Sequence, residues 1–240
     1  MLKRTSSFVF YRGGQLQRIP GALAVVITAS FLAPTAGAQS TKCVIDSTAP
    51  WAINNRSWSR EAGTTWSNDS LRRVLLSLER QDQEPRREYA ARANDSTFVR
   101  RLMALDQQTS AAVKDILDRF GLPTKSMVGA KGADALFLVV QHSATLQQRV
   151  LDLAKRAPPG EVPPSALAML EDRVLTHSGK PQLYGSQFSI TPDGLARFAP
   201  FMDPGGLAAR RERAGLMPFD VYICMIEESG LRVDRSTLPP

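Results

Sequence analysis

Residues 133–140 read Ala-Asp-Ala-Leu-Phe-Leu-Val-Val, and the run closes on Gln141 and His142. So apolar a segment leaves no face for water, and the rest of the chain must cover it on all sides. Periodicity alone does not separate a buried helix from a buried strand in such a run. Its neighbours do. Before it, Leu71, Val74, Leu75 and Leu78 repeat at i, i+3, i+4 and i+7 behind the capping residues Asn68 to Ser70. Phe98, Val99, Leu102 and Leu105 follow a second capped start at Asp95-Ser96. Val113, Ile116, Leu117 and Phe120 then lead to Gly121 and Pro123, a helix stop in the usual order. After it, Leu146, Val150, Leu151 and Leu153 keep the helical period, and Pro163-Pro164-Ser165 opens a further helix through Leu167, Leu170 and Val174. The apolar run is therefore expected to be a central helix inside a helical shell, with Gln81 to Pro85 interrupting the first helix.

Past Ser178-Gly179-Lys180-Pro181 the pattern changes. Gln182 to Ile190 alternates, Thr191-Pro192-Asp193-Gly194 is a turn signal, and Leu195 to Phe201 can return as a second strand. Asp203-Pro204 starts a helix that Gly215 ends, and a last helix runs from about Pro218 to Glu228. The expected fold is mainly α, an irregular helical bundle with one small β-hairpin near the C-terminus. Residues 68–240 form a single helical domain in this reading. Residues 39–67 precede it as an irregular arm. They hold Trp51, Trp58 and Trp66, whose rings dock the arm on the body or, alternatively, form a sugar-stacking platform.

The first 38 residues differ again. Lys3, Arg4, Arg12 and Arg18 precede an uncharged apolar heart, Gly21 to Leu32, then Pro34 and the small residues Ala36-Gly37-Ala38. This is the layout of a secretory signal with cleavage after Ala38. A heart of twelve residues is short for a span of roughly 20, so no membrane span is expected once the signal is cut. These four cations also account for much of the formal charge of +7, since the segment has no acid, and 7 − 4 leaves +3 for residues 39–240. That balance gives no case for a nucleic-acid partner. An exported chain, periplasmic or secreted, permits disulfides, and its two cysteines, Cys43 and Cys224, allow one intramolecular pairing. The alternative is two free thiols, with Cys224 buried as a small hydrophobe.

Chemical motifs are scarce. There are two histidines, His142 and His177, and no HExxH, paired cysteines, Gly-rich phosphate loop or GxSxG elbow. No metal site and no cofactor are expected. What remains is a looser gathering: Gln141-His142 after the apolar run, Asp172-Arg173 inside an apolar helix, and Gln182, Tyr184 and Gln187 at the start of the hairpin. In one reading these groups satisfy one another as a structural network. In the other, His142 is a general acid or base oriented by Asp172, while Arg173 and Tyr184 hold an anionic or carbonyl substrate.

Residues 120–222 resemble a bacterial family described only as a domain of unknown function. The resemblance rests on Gly121-Leu122-Pro123 with Val128-Gly129, Gln141-His142, Asp172-Arg173-Val174, Gln182-Leu183-Tyr184-Gly185-Ser186-Gln187, and Arg211 with Gly215-Leu216 before Tyr222. It implies no activity, only that these positions form a set. Gln141, Arg173, Gln182, Tyr184, Gln187 and Arg211 are therefore candidate ligand-binding residues, beside His142 and Asp172 as candidate catalytic ones. The sequence supports an exported ligand-binding or interaction module of the cell envelope, with a small molecule or an envelope protein as partner. A hydrolase built on His142 is the alternative.

Overall fold

The computed structural model describes residues 8–12, 15–19, 25–26, 43, 45–61, 65–88, 95–191 and 193–239. Among these, three short strands come first: β1 (Phe8–Arg12), β2 (Gln15–Ile19) and β3 (Val25–Val26), paired antiparallel in that order. The helices are α1 (Pro50–Ser59), α2 (Asp69–Arg86), α3 (Ser96–Phe120), α4 (Lys125–Val140), α5 (Ala144–Lys155) and α6 (Pro164–His177). β4 (Phe188–Ile190), β5 (Leu195–Phe198), α7 (Leu207–Arg213), α8 (Phe219–Glu228) and β6 (Arg232–Val233) complete the chain. The fold is mainly α, with a small sheet near the C-terminus. The signal-like heart and its Ala36-Gly37-Ala38 end lie, apart from Val25–Val26, outside the described residues.

The apolar run is the heart of α4. From Ala135 to Val140 every residue is buried, and α2, α3, α5 and α6 supply the cover. Leu71, Leu75 and Leu78 of α2, Val113, Ile116 and Leu117 of α3, Val150 and Leu151 of α5 and Leu170 of α6 meet there as one core. α4 is not straight. Gly129 takes φ 70°, which a side chain would resist, and a Cβ there would strike the Arg72 guanidinium and approach the Glu61 carboxylate to 2.7 Å.

Three elements depart from expectation. α2 does not stop at Gln81 but continues through Pro85 to Arg86. Asp82 and Arg86, four apart on one face, are both fully buried and paired, and Arg86 pairs further with Asp106 of α3, a tertiary tie that outweighs the local break that proline introduces. The segments Asp95–Leu105 and Val113–Phe120 are one 25-residue helix, because Asp106 and Thr109 fill the intervening inward positions. The N-terminal arm is not irregular where Trp51 and Trp58 lie. Pro50 sits at the first helical position of α1, and the two rings, seven residues apart, fall on one face two turns apart. Trp66 lies outside α1, with Arg72 stacked 4.1 Å from its ring centre.

A second core forms at the C-terminal side. The expected hairpin is present as β4 and β5, with Phe188 opposite Phe198. It gains a partner that was not anticipated, since β6 runs parallel to β5. Phe188, Phe198, Tyr222, Ile223, Ile226 and Trp51 share this core. Residues 183–187 are not strand. An isolated bridge pairs Gln182 with Phe201, beyond the end of β5, so the alternating pattern there has another purpose. Asp203 lies in the left-handed region and caps nothing through its side chain, and a 3-10 turn over Pro204–Gly206 precedes α7. Cys43 and Cys224 form a disulfide with Cα atoms 5.8 Å apart. No described helix is long and apolar enough to cross a membrane.

Candidate functional site

α4 ends where its apolar stock runs out. Gln141 and His142 complete its last turn through Gln141 N–H to Phe137 O and His142 N–H to Val139 O. Both side chains stay inside: Gln141 is 5% exposed and the His142 side chain 2%. The carboxylate that meets the His142 ring is Asp82 of α2, not Asp172. His142 Nδ1 lies 2.9 Å from Asp82 Oδ1 and 2.8 Å from Oδ2. Asp82 also accepts from Arg86 Nη2 at 2.8 Å and from Gln83 Nε2 at 2.6 Å. The same Arg86 nitrogen pairs with Asp106 of α3. Three helices thus meet in one buried charged cluster.

The electrostatics of that cluster settle its protonation. Burial alone would raise the Asp82 carboxyl, but the His142 ring and the Arg86 guanidinium prevail and hold it at about 2. Burial and the charge of Arg86 lower His142 to about 4, against the pull of Asp82, so the ring is neutral at pH 7. An ionised carboxylate only accepts hydrogen bonds, so Nδ1 carries the ring proton and Nε2 presents a lone pair. Among the described residues that Nε2 is buried and meets no partner, and neither do Nε2 and Oε1 of Gln141 or Oε1 of Gln83. Burial raises Asp106 to about 6 despite Arg86. Asp82, Asp106 and His142 each bring a ligand atom within 4.8 Å of the others, a spacing a metal could use. Arg86 already joins both carboxylates, so a cation would have to displace it.

Asp172 has a different task. Its carboxylate is fully buried and accepts four kinds of hydrogen bond from one loop: Leu183 N–H at 2.6 Å, Tyr184 N–H at 3.0 Å, Ser186 N–H at 3.0 Å and the Ser186 hydroxyl at 2.8 Å. Gln182 closes the same loop by donating Nε2 to Gln187 O and Ala199 O while its Oε1 accepts from Gln187 N–H. Arg211 of α7 donates to Tyr184 O at 2.6 Å and to Met217 O at 2.7 Å. Gly185 takes φ 65°, and a Cβ there would come within 2.9 Å of both the Phe201 and Phe219 rings. The loop over residues 182–187 is knotted by side chains where a strand would use its ladder.

The candidate residues therefore divide. Gln141, His142 and Arg173 come together, Arg173 Nη1 donating to Gln141 O at 3.1 Å beside Gln147 Nε2 at 2.9 Å. Asp172, Gln182, Tyr184, Gln187 and Arg211 form the loop knot. The two groups join through adjacent residues of α6, Asp172 and Arg173, and no hydrogen bond links Asp172 to His142 among the described residues. Tyr184 is half-buried, and its hydroxyl donates to Glu171 at 3.3 Å. Asp82, Arg86 and Asp106 were missed from sequence. Their signal was present: Asp82 and Arg86 continue the stripe Leu71, Leu75, Leu78, and Asp106 continues Phe98, Leu102. Charge on an apolar stripe marks a buried charge.

A family model described as a family of unknown function (DUF6624) matches residues 69–234. That span contains the whole His142 cluster and the loop knot, and it excludes Cys43 and α1. No curated protein and no solved structure matches the chain.

Proposed function

The chain belongs to DUF6624, a family of unknown function, and we propose that it is an exported ligand-binding module whose recognition groups are the Gln141 amide and the His142 ring. One observation carries this reading. Three hydrogen-bonding atoms on two consecutive residues, Gln141 Nε2, Gln141 Oε1 and His142 Nε2, are buried without a partner among the described residues. Each such atom costs about 1–3 kcal/mol when left unmade, so a fold that retains three of them gains when a ligand fills them. Two of the three accept and one donates. The complementary molecule is small and polar and carries donors and an acceptor side by side, as an amide or urea does. Arg173, beside Gln141, adds a positive charge for an anionic substituent. Placement outside the cytoplasm, periplasmic or secreted, is supported by the basic, apolar and small-residue layout of residues 1–38 and agrees with a disulfide.

A second reading has its own support. A neutral imidazole whose tautomer is fixed by an ionised carboxylate is the general-base half of a hydrolytic site. Asp82 takes the orienting role expected of Asp172, and His142 Nε2 would take the proton of an attacking water.

His142→Asn separates these readings from a purely structural role. Asparagine keeps an N–H for Asp82 and removes the Nε2 lone pair. Thermal-shift screening against small amides, ureas and carboxylates should give a hit for the wild type and none for the variant, at nearly equal melting temperatures. A chromogenic ester and amide screen that shows turnover lost in the variant, and kept by the wild type down to about pH 5, selects the hydrolase. No ligand, no turnover and a large stability loss in the variant would overturn both.

A further inference from the structure

Residues 43–61 lie outside the family match, and they bind the two cores to each other. On α1, Trp51 and Ala52 are buried in the C-terminal core and Trp58 in the helical core. Polar ties follow the same path: Asn55 Nδ2 to Gly215 O at 2.6 Å, Trp58 Nε1 to Asp134 Oδ1 at 3.0 Å, Lys125 Nζ to Trp58 O at 2.8 Å, and Glu61 to Arg72 at 2.9 Å. Before α1, among the described residues, the side-chain bonds of Asp46 and Thr48 stay local, and this end is fastened by the disulfide, with Cys43 N–H donating to Glu228, and by Cys43 and Ala49 packing on the C-terminal core. Cys224 lines a surface cavity of about 380 Å³ with Asp220, Glu227 and Arg235.

We propose that Cys43–Cys224 is a thiol-exchange site and that residues 43–61 are a strap it fastens. A small thiol enters the cavity as its thiolate and attacks Sγ of Cys224. The Cys43–Cys224 bond breaks as the new S–S bond forms, and the electron pair leaves on Cys43 Sγ, which takes a proton from water. A second thiol resolves the mixed disulfide. The protein gains two electrons, and two thiols are oxidised to one disulfide. Two carboxylates line the cavity, and a third, Glu228, holds Cys43, against one cation, Arg235, itself paired with Glu227. The site is net negative, so it favours a cationic thiol over an anionic one at low salt. This inference does not depend on the ligand-binding reading.

The test uses the oxidised full chain with cysteamine or glutathione at equal thiolate concentration, following free thiols, tryptophan emission and far-UV circular dichroism. Cysteamine should reduce the bond several-fold faster than glutathione at low salt, and the gap should close at high salt and in Asp220→Asn. Emission should shift to the red as Trp51 leaves its core, while nearly all helical signal remains. Resistance to both thiols until the chain unfolds would overturn the exchange site, and equal or faster reduction by glutathione at low salt would overturn its selectivity. Reduction without an emission change, or with collapse of the helical signal, would overturn the strap. Cys43→Ser gives the permanently open form, and in-situ reduction of the folded wild type answers the question even where that variant does not fold.

Discussion

Asp172→Asn is the sharpest check on how the candidate residues divide. The carboxylate of Asp172 is fully buried, and both its oxygens receive donors from the loop at residues 183–186. An asparagine offers one acceptor oxygen and turns an N–H₂ toward groups that themselves donate. Two of the loop's donors lose their acceptor, at about 1–3 kcal/mol each. One effect opposes this. Burial raises the Asp172 carboxyl above its usual value in spite of its hydrogen bonds, so the ionised group carries a desolvation cost that asparagine escapes. The net expected loss is about 2–4 kcal/mol at pH 7, read as a shift in the urea midpoint at unchanged slope. The His142 ring should be unaffected, with its Nδ1 proton still bound toward Asp82 in nitrogen-resolved NMR. Asp82→Asn should do the reverse to the ring, because its amide can donate to Nδ1 and shift the proton to Nε2. A stability loss below about 1 kcal/mol for Asp172→Asn, or a changed His142 tautomer, would refute the division of the residues into two groups.

The buried cluster also makes a prediction about pH. Asp106, raised to about 6, holds its proton more tightly folded than unfolded, so its contribution is full below pH 3.8 and is lost as pH rises through 6. His142, lowered to about 4 from 6.5, contributes the opposite slope over nearly the same window. The two slopes oppose each other, so together they add little net pH dependence between pH 4 and 6, whereas Asp106→Asn should gain stability relative to the wild type as pH rises through this window, measured by urea unfolding of both proteins. A constant difference between the two proteins would refute the pairing of slopes. Gly129→Ala should destabilise the chain by more than about 1 kcal/mol, since the position has φ 70° and any Cβ collides with the partly buried Arg72–Glu61 pair. Equal denaturation midpoints would contradict this. Mass spectrometry of the protein recovered from its native host should begin at Gln39, and a chain that retains Met1 would defeat export.

The helical part of the fold was legible because its stripes are regular. The leucines of α2, the capped start at Asp95 and the Gly121-Leu122-Pro123 stop all serve their expected ends in the structure. Misreadings occurred where tertiary contacts override local signals. Pro85 looks like a terminator, and it is tolerated because Arg86, one residue on, is anchored to two carboxylates. Residues 182–187 alternate as a strand does, yet their backbone N–H groups are taken up by the Asp172 carboxylate and the Gln182 amide and not by a neighbouring strand. β6 was invisible because two residues carry no period, and its pairing with β5 is parallel and non-local. α1 was hidden by composition. Its asparagines, serines and arginine weaken the apolar pattern, and only the seven-residue spacing of Trp51 and Trp58 announces a face.

The site was half legible, and the missing half explains why the visible half was misassigned. Gln141-His142 stands out because it ends an apolar run, and Asp172-Arg173 because it interrupts one. Pairing these two was natural while no charge of α2 or α3 stood among the candidate residues. A buried neutral imidazole needs one acceptor at most for its proton, and the nearest carboxylate on an apolar stripe meets that need at lower cost than one already committed to backbone donors. Asp172 is so committed. Its four donors come from a loop that has no ladder of its own, so freeing it to serve His142 would leave that loop unsatisfied. The same accounting, applied to Asp82, leaves one lone pair of His142 with nothing to accept. Among the described residues that lone pair lies beside both polar atoms of the Gln141 amide, which are likewise buried without a partner, a condition shared by the amide oxygens of Gln83 and Gln187.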